Sequence, residues 1–208
     1  MSMASDEKPS EKRYGMVIDL DKCSGCQACA VACKMENDVD LGVFRSRVYR
    51  MGPIGEFPDN LEMFYFPTMC MQCEHPSCIE VCPTKATYRT EDGVVLVSAN
   101  RCFGCQYCIW ACPYEARTLN PNTKTVEKCT LCIHKLRRGE QPPCAYTCTT
   151  GCRVAGDMND PASEISKVLA ANEDRQYRIH PEFGNNPSVV YLIPRKGAET
   201  LCRSIGRS

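Results

Sequence analysis

Residues 102–113 read CFGCQYCIWACP, and residues 70–83 read CMQCEHPSCIEVCP. As spacing these are Cys102-x2-Cys105-x2-Cys108-x3-Cys112-Pro113 and Cys70-x2-Cys73-x4-Cys78-x3-Cys82-Pro83. Three cysteines so close together let a tight loop wrap one corner of an iron–sulfur cube. The fourth follows a turn later, where the chain has swung away. In such a run three thiolates hold one [4Fe–4S] cluster and the fourth ligates a neighbouring one. Between the runs, residues 86–97 read ATYRTEDGVVLV, two β-prone pieces around an Asp-Gly turn, which is the signature of a hairpin.

Two runs with a hairpin between them predict a two-cluster module of the bacterial-ferredoxin kind. Working outward, Cys23-x2-Cys26-x2-Cys29-x3-Cys33 repeats the spacing of the 102–112 run, with Lys34 in place of proline. Cys129-x2-Cys132-x11-Cys144-x3-Cys148 repeats it again with a long spacer, and Thr149 stands where proline is expected. Four related runs amount to an internal repeat, as if one module had been placed inside another. Sixteen of the 18 cysteines are so assigned. Cys152 and Cys202 remain and read as small free thiols.

The totals narrow the function. Grouped C-x2-C pairs argue against a disulfide framework, which rarely sets cysteines in fours. Lys+Arg and Asp+Glu are both 25, so no basic excess points to nucleic acid. No apolar run is long enough to span a bilayer. Residues 1–13 are polar, lack the apolar stretch or twin arginine of an export signal, and read as a disordered lead-in. No Ser-His-Asp set, phosphate loop or H-E-x-x-H is present, so nothing suggests substrate chemistry.

The fold class expected is α+β: duplicated bacterial-ferredoxin-like modules with inserted β-hairpins and short helices, rich in loops. A central module covers about 68–120, and an outer module is built from 14–40 and 126–157, together a four-cluster domain over 14–160. Residues 161–208 supply a C-terminal helix, strands and a tail packing on it. Tyr14 to Leu20 is a β-prone lead into the first loop, and Ala28 to Met35 begins a helical turn around Cys33. Val43 to Tyr49 and Glu62 to Phe66 form an inserted hairpin turning at 52–59, its aromatics packing over the clusters. Asn120 to Thr123 is the turn of a further connection after Pro113. Ser163 to Asn172 reads as a helix, and Tyr177 to His180 and Val189 to Ile193 as closing strands.

With all four runs in view, the chain resembles the four-cluster iron–sulfur subunits of molybdopterin oxidoreductases of the dimethyl sulfoxide reductase superfamily, most of all polysulfide and thiosulfate reductase subunits. The matching pieces are residues 16–20 (MVIDL), 28–37 (ACAVACKMEN), 112–117 (CPYEAR), 128–132 (KCTLC) and 186–192 (NPSVVYL). The resemblance covers about 14–193. It implies that the runs pair first with fourth and second with third. Cys23, Cys26 and Cys29 then join Cys148, while Cys129, Cys132 and Cys144 join Cys33. Cys70, Cys73 and Cys78 join Cys112, and Cys102, Cys105 and Cys108 join Cys82. Some relatives hold a [3Fe–4S] cluster where tryptophan replaces the Cys105 position, so cysteine there implies four [4Fe–4S] cubes. Gly151, Arg153, Gly156 and Asp157 fit the pattern after Cys148 and favour it over Cys152 as ligand.

The function so implied is one-electron relay, without catalysis, between a molybdopterin catalytic subunit and a quinone-reactive integral membrane subunit. The chain itself would not span the membrane. It would sit peripherally, with the periplasmic side, reached by export with a signal-bearing partner, favoured over the cytoplasmic side. The alternatives are a soluble complex with a ferredoxin or cytochrome partner, and a structural zinc protein, which the crowded runs disfavour. His75 and His134 either hydrogen-bond a cluster sulfur or lie at the surface. Lys34, Lys85 and Lys128 flank ligands, where a cation raises a potential, or are solvated. Residues 135–138 are either a docking face or a solvated charge run. Phe103, Tyr107 and Trp110 read first as packing that dries a cluster, and otherwise as an aromatic patch toward the membrane subunit.

Overall fold

The structure, a computed structural model, describes residues 12–195. Cys202, most of the lead-in and the end of the tail lie outside the described residues. Strand β1 (Tyr14–Asp19) is buried along its whole length. It runs between two neighbours and packs on both faces, which is why its sequence is a near-continuous apolar run. Met16 and Ile18 join the main core, and Val17 faces the other way. After the first cysteine loop comes α1 (Ala28–Asn37), then a long hairpin of β2 (Ser46–Ile54) and β3 (Glu62–Met69).

The central module follows as two matching halves. Run two leads into α2 (Ser77–Glu80) and the hairpin of β4 (Thr87–Arg89) and β5 (Val95–Val97). Run three leads into α3 (Tyr107–Trp110) and the hairpin of β6 (Arg117–Leu119) and β7 (Val126–Lys128). The Asp92-Gly93 turn carries a positive φ at Gly93, as the hairpin reading requires. Run four spans α4 (Ile133–Leu136) and α5 (Pro143–Tyr146), and the chain returns as β8 (Arg153–Asp157) to pair antiparallel with β1.

The C-terminal part closes the sheet. Helix α6 (Glu164–Ala170) is capped by Ser163, whose hydroxyl accepts from Ser166 N at 3.2 Å. Strands β9 (Gln176–Tyr177) and β10 (Val189–Leu192) complete the order β8-β1-β10-β9, with β1 and β10 parallel, Met16 opposite Val189. Val17, Val190 and Leu192 meet Ile165 of α6 in a small apolar cluster, each such residue stabilising by about 1.5–3 kcal/mol. Tyr191 stacks on Phe66 of β3 at 4.8 Å between ring centroids, and its hydroxyl donates to Pro67 O at 2.8 Å.

Three local expectations are corrected. The turn expected at 52–59 lies later, because β2 continues through Pro53 and Ile54 pairs with Glu62 past an irregularity after Met51. Gly52 at φ +104 absorbs the bend, and a two-stranded hairpin tolerates proline's missing N–H at its edge. The helical turn around Cys33 becomes a ten-residue helix, since Lys34 continues it where proline would break it. Of the strand expected at 177–180, only Tyr177 pairs, and His180 turns the chain at φ +52.

Candidate metal centres

Each run places its third cysteine at the second position of a helix: Cys29 in α1, Cys78 in α2, Cys108 in α3 and Cys144 in α5. The fourth follows one turn later. The loops before these helices are wound tightly by left-handed residues, Gly25 and Gln27 in run one, Gly104 and Gln106 in run three. A Cβ on Gly25 would lie 2.4 Å from the Tyr65 ring, and one on Gly104 2.3 Å from Lys124 O, so only glycine fits.

Two enclosed cavities are lined by sulfur. One is bounded by Cys33, Cys129, Cys132 and Cys144 together with Arg153 and Asn37. The other is bounded by Cys82, Cys102, Cys105 and Cys108. Two further sets are joined electrostatically. Burial pushes the Cys73 thiol up to about 12, and the charges of Cys70, Cys78 and Cys112 add to it. Burial raises Cys29 too, where Arg153 opposes the rise and Cys144, Cys23 and Cys148 reinforce it. Cys26 is exposed in the same loop and is tied to this set only by its place in the run. A roomier groove of about 350 Å³ beside the β2–β3 hairpin has no cysteine in its lining.

Many of these thiols are costly to ionise alone. Burial drives Cys33 to about 12 and Cys78 to about 11, and raises Cys129 well above a free thiol. Such a set fits a cationic occupant that takes thiolates as ligands. The N–H groups aimed at sulfur fit as well: Leu131 N to Cys129 at 3.3 Å, Cys152 N to Cys148 at 3.3 Å, Thr87 N to Cys82 at 3.5 Å and Val126 N to Cys102 at 3.5 Å. Hydrogen bonds to sulfur are one of the means by which proteins set cluster potentials.

The sets form a series. Cys29 and Cys33 share α1, about 6 Å apart along its axis, and lie in successive sets. At the junction of the modules, Cys129 feels the charge of Cys70. There the fully buried Gln72 donates to Cys129 O at 2.9 Å and accepts from Val95 N at 2.9 Å. Lys128, also buried, reaches the carbonyls of Val95 and Cys129 and lowers the ionisation cost of Cys78.

Several flanking residues serve the scaffold. Lys34 Nζ donates to the carbonyls of Asp40 and Val43 at 2.8 and 2.6 Å, fixing the loop after α1. His134 meets Glu36 at 2.7 Å, and exposed His75 uses its backbone N–H on Asn185 O. Lys135 and Arg138 pair with Glu140, and Arg137 with Asp92, so the 135–138 cations are engaged within the protein. Tyr107 and Trp110 are 61% and 86% exposed, which overturns the reading of them as packing, whereas Phe103, 64% exposed, borders the cavity of Cys82, Cys102, Cys105 and Cys108 as that reading expects. Spacing alone passed over Asn37, whose amide lies 3.6 Å from Cys132 Sγ, and the roles of Arg117, Arg153 and Cys152. The signal available was position: both arginines stand five residues past the end of a run.

Two family models, each described as a 4Fe-4S dicluster domain, match this chain, one over residues 15–83 and the other over residues 61–158. The B subunit of tetrathionate reductase from Salmonella typhimurium (strain LT2) is 43% identical over 180 residues, covering 86% of this chain and 72% of that protein. The B chain of polysulfide reductase from Wolinella succinogenes is 44% identical over 187 residues, covering 89% and 96%. The B subunit of sulfite dehydrogenase from Allochromatium vinosum is 42% identical over 206 residues, covering 88% and 84%.

Proposed function

Because this protein belongs to the 4Fe-4S dicluster family of reductase iron–sulfur subunits, alongside those of tetrathionate reductase and polysulfide reductase, we propose that it relays single electrons through four cubes between a molybdopterin catalytic subunit and a quinone-reactive membrane subunit. The ligand sets are Cys23, Cys26, Cys29 and Cys148; Cys33, Cys129, Cys132 and Cys144; Cys70, Cys73, Cys78 and Cys112; and Cys82, Cys102, Cys105 and Cys108. The first two sets form the outer module and the last two the central one. The observation that carries this reading is the pair of cavities in which the fourth cysteine of one run lines up with three from another.

Bound cubes supply the one-electron chemistry; the protein's own work is to hold, space and dry them. Helix α1 fixes the separation of the first two sets, and Gln72 and Lys128 lock the outer module to the central one. The exposed ends support two interfaces. Trp110, Tyr107 and Phe103 surround the set of Cys102, Cys105 and Cys108 and suit the membrane subunit. Val31, Met35 and Tyr146, on α1 and α5, are exposed beside the first set and suit the catalytic subunit. Among the described residues no helix is long and apolar enough to cross a membrane. The place proposed for the chain is peripheral, on the periplasmic side, reached by export with its partner.

Anaerobic reconstitution tests the relay. About 16 iron and 16 sulfide per chain are expected, with uptake of about four electrons on full reduction. Half that content, or turnover of a sulfur substrate by molybdenum-free protein, would overturn the reading.

A further inference from the structure

Arg117 opens β6 and Arg153 opens β8, and each stands five residues beyond the last cysteine of its run, Cys112 or Cys148. The corresponding places after Cys82 and Cys33 hold Thr87 and Asp38, so the repeat itself does not demand arginine there. Both guanidinium groups are buried, Arg117 at 4% and Arg153 at 3% exposure. Arg117 Nη2 donates to Cys78 Sγ at 2.8 Å, and Nη1 to Thr87 Oγ1 at 3.1 Å, the residue whose backbone N–H points at Cys82 Sγ from 3.5 Å; Cys108 lies within electrostatic reach. Cys78 and Cys108 belong to the two different sets of the central module. Arg153 is placed likewise in the outer module. It lines the cavity of Cys33, Cys129, Cys132 and Cys144, and lies within electrostatic reach of Cys29 in the neighbouring set. Ser46 Oγ accepts from its Nη2 at 3.1 Å, and its Nη1 lies 3.8 Å from Met69 Sδ.

Among the described residues, neither arginine is ion-paired with a carboxylate. A buried cation without a counter-charge is strongly unfavourable. The anionic atoms within reach are the cysteine sulfurs, so the counter-charge has to come from the two sets that each arginine faces. We propose that Arg117 and Arg153 are a duplicated pair of fixed cations, each shared by the two cluster sites of one module, holding both sites at a higher reduction potential than sulfur ligation alone would give. The proposal rests on the ligand sets stated above.

The chemistry suits arginine. Its guanidinium stays protonated and presents five donors in a rigid fork, so one side chain can face two sites at once. When an electron leaves one site and enters the other, negative charge moves from one side of the same cation to the other. No proton need accompany it. Because the cation serves both sites, it favours the reduced form of each without opening a large step between them.

The test is redox titration of the four electron paramagnetic resonance signals in the full, cluster-loaded protein and its variants. Iron and sulfide are counted first in the unaltered protein. A count well below about 16 ends the ligand assignment; a full count with unmoved potentials in the variants ends the arginine proposal alone. Arg117→Gln is expected to disfavour reduction at least tenfold, about 59 mV for a one-electron couple, at both central-module sites and to leave the outer pair nearly unchanged. Arg153→Gln should do the reverse. Arg117→Lys and Arg153→Lys keep the charge and should move the potentials by less than half as much. A shift at one site only, an equal shift at all four, or a lysine variant as altered as the glutamine one would overturn the proposal. If a glutamine variant loses iron, the lysine variant decides. Potentials near those of the unaltered protein at both sites support the fixed-charge role, and a tenfold fall at both overturns it.

Discussion

The backbone N–H of Cys152 points at the sulfur of Cys148 from 3.3 Å, and its thiol interacts with that of Cys23. Hydrogen bonding with Cys152 is the main cause that lowers the Cys23 thiol below its ordinary value, against the opposing effect of burial. Cys152 itself is 2% exposed, so it is a fixed neighbour of the first ligand set and not the idle thiol that its position outside the four runs suggested. With Cys23 ligating iron, Cys152 is left as the donor. Cys152→Ala should therefore lower the potential of the first cluster by about 1 kcal/mol of lost hydrogen bond, on the order of 40 mV. Cys152→Ser keeps a donor and should stay near the unaltered value. Titration of the first cluster's signal in the two variants measures this, and identical potentials would show the bond to be without effect.

Gly25 and Gly151 separate crowding from backbone conformation. Both hold a left-handed φ, +71 and +62. A methyl on Gly25 would strike the Tyr65 ring at 2.4 Å, whereas nothing lies within 4 Å of one on Gly151. Gly151→Ala should cost only the backbone strain, about 1 kcal/mol, and retain every cluster. Gly25→Ala must displace Tyr65 or the loop carrying Cys23 and Cys26, and is expected to lose iron from the first site. Iron analysis of the two purified variants distinguishes them; full iron in Gly25→Ala would mean that the loop yields.

Iron removal should dismantle the protein unevenly. The loops between Cys70 and Cys148 hold short helices of four residues and hairpins of three-residue strands, too small to persist alone. The sheet of β8, β1, β10 and β9 has an apolar interior of its own, with Met16, Ile18, Val189, Val190 and Tyr191 at 0% exposure. Hydrogen exchange after anaerobic chelation should show the amides of residues 70–148 exchanging freely, and those of Val17 and Val190 protected longest. Equal protection throughout would show that clusters are not what orders the loops.

The cysteine runs were legible in the sequence because most of their cysteines lie within about ten residues of one another, whereas which distant run each last cysteine meets was implied only by the family resemblance. The 87–97 hairpin was legible for the same reason, its Asp-Gly turn lying between two β-prone pieces. The parallel pairing of β1 with β10 was hidden, since Met16 and Val189 are joined only through the folded core. Arg117 and Arg153 were hidden differently. Each is one arginine at the head of a short strand, and nothing in the sequence reveals that burial removes every counter-charge except sulfur. The exposure of Trp110 was misread because an aromatic residue beside ligands is ordinarily core.

The crossed pairing of the central module can be tested at Cys82. A local reading gives each run its own cube, so Cys82 would complete the set of Cys70, Cys73 and Cys78. The geometry supports the other reading. The chain leaves α2 at Glu80, Cys82 N bonds back to Ile79 O at 3.1 Å, and Cys82 then borders the cavity lined by Cys102, Cys105 and Cys108. Cys112 makes the reciprocal move: after α3 its sulfur adds its charge to Cys73, alongside Cys70 and Cys78. The exchange also ties the two halves of the module together, giving a small loop-rich unit long-range connections that its apolar content supplies only sparingly. Cys82→Ser and Cys105→Ser should therefore alter the same electron paramagnetic resonance signal and leave the one altered by Cys73→Ser intact. Cys112→Ser should group with Cys73→Ser. If Cys82→Ser instead changes the signal that Cys73→Ser changes, each run keeps its own cube, and Arg117 would then join different partners from those assigned to it here.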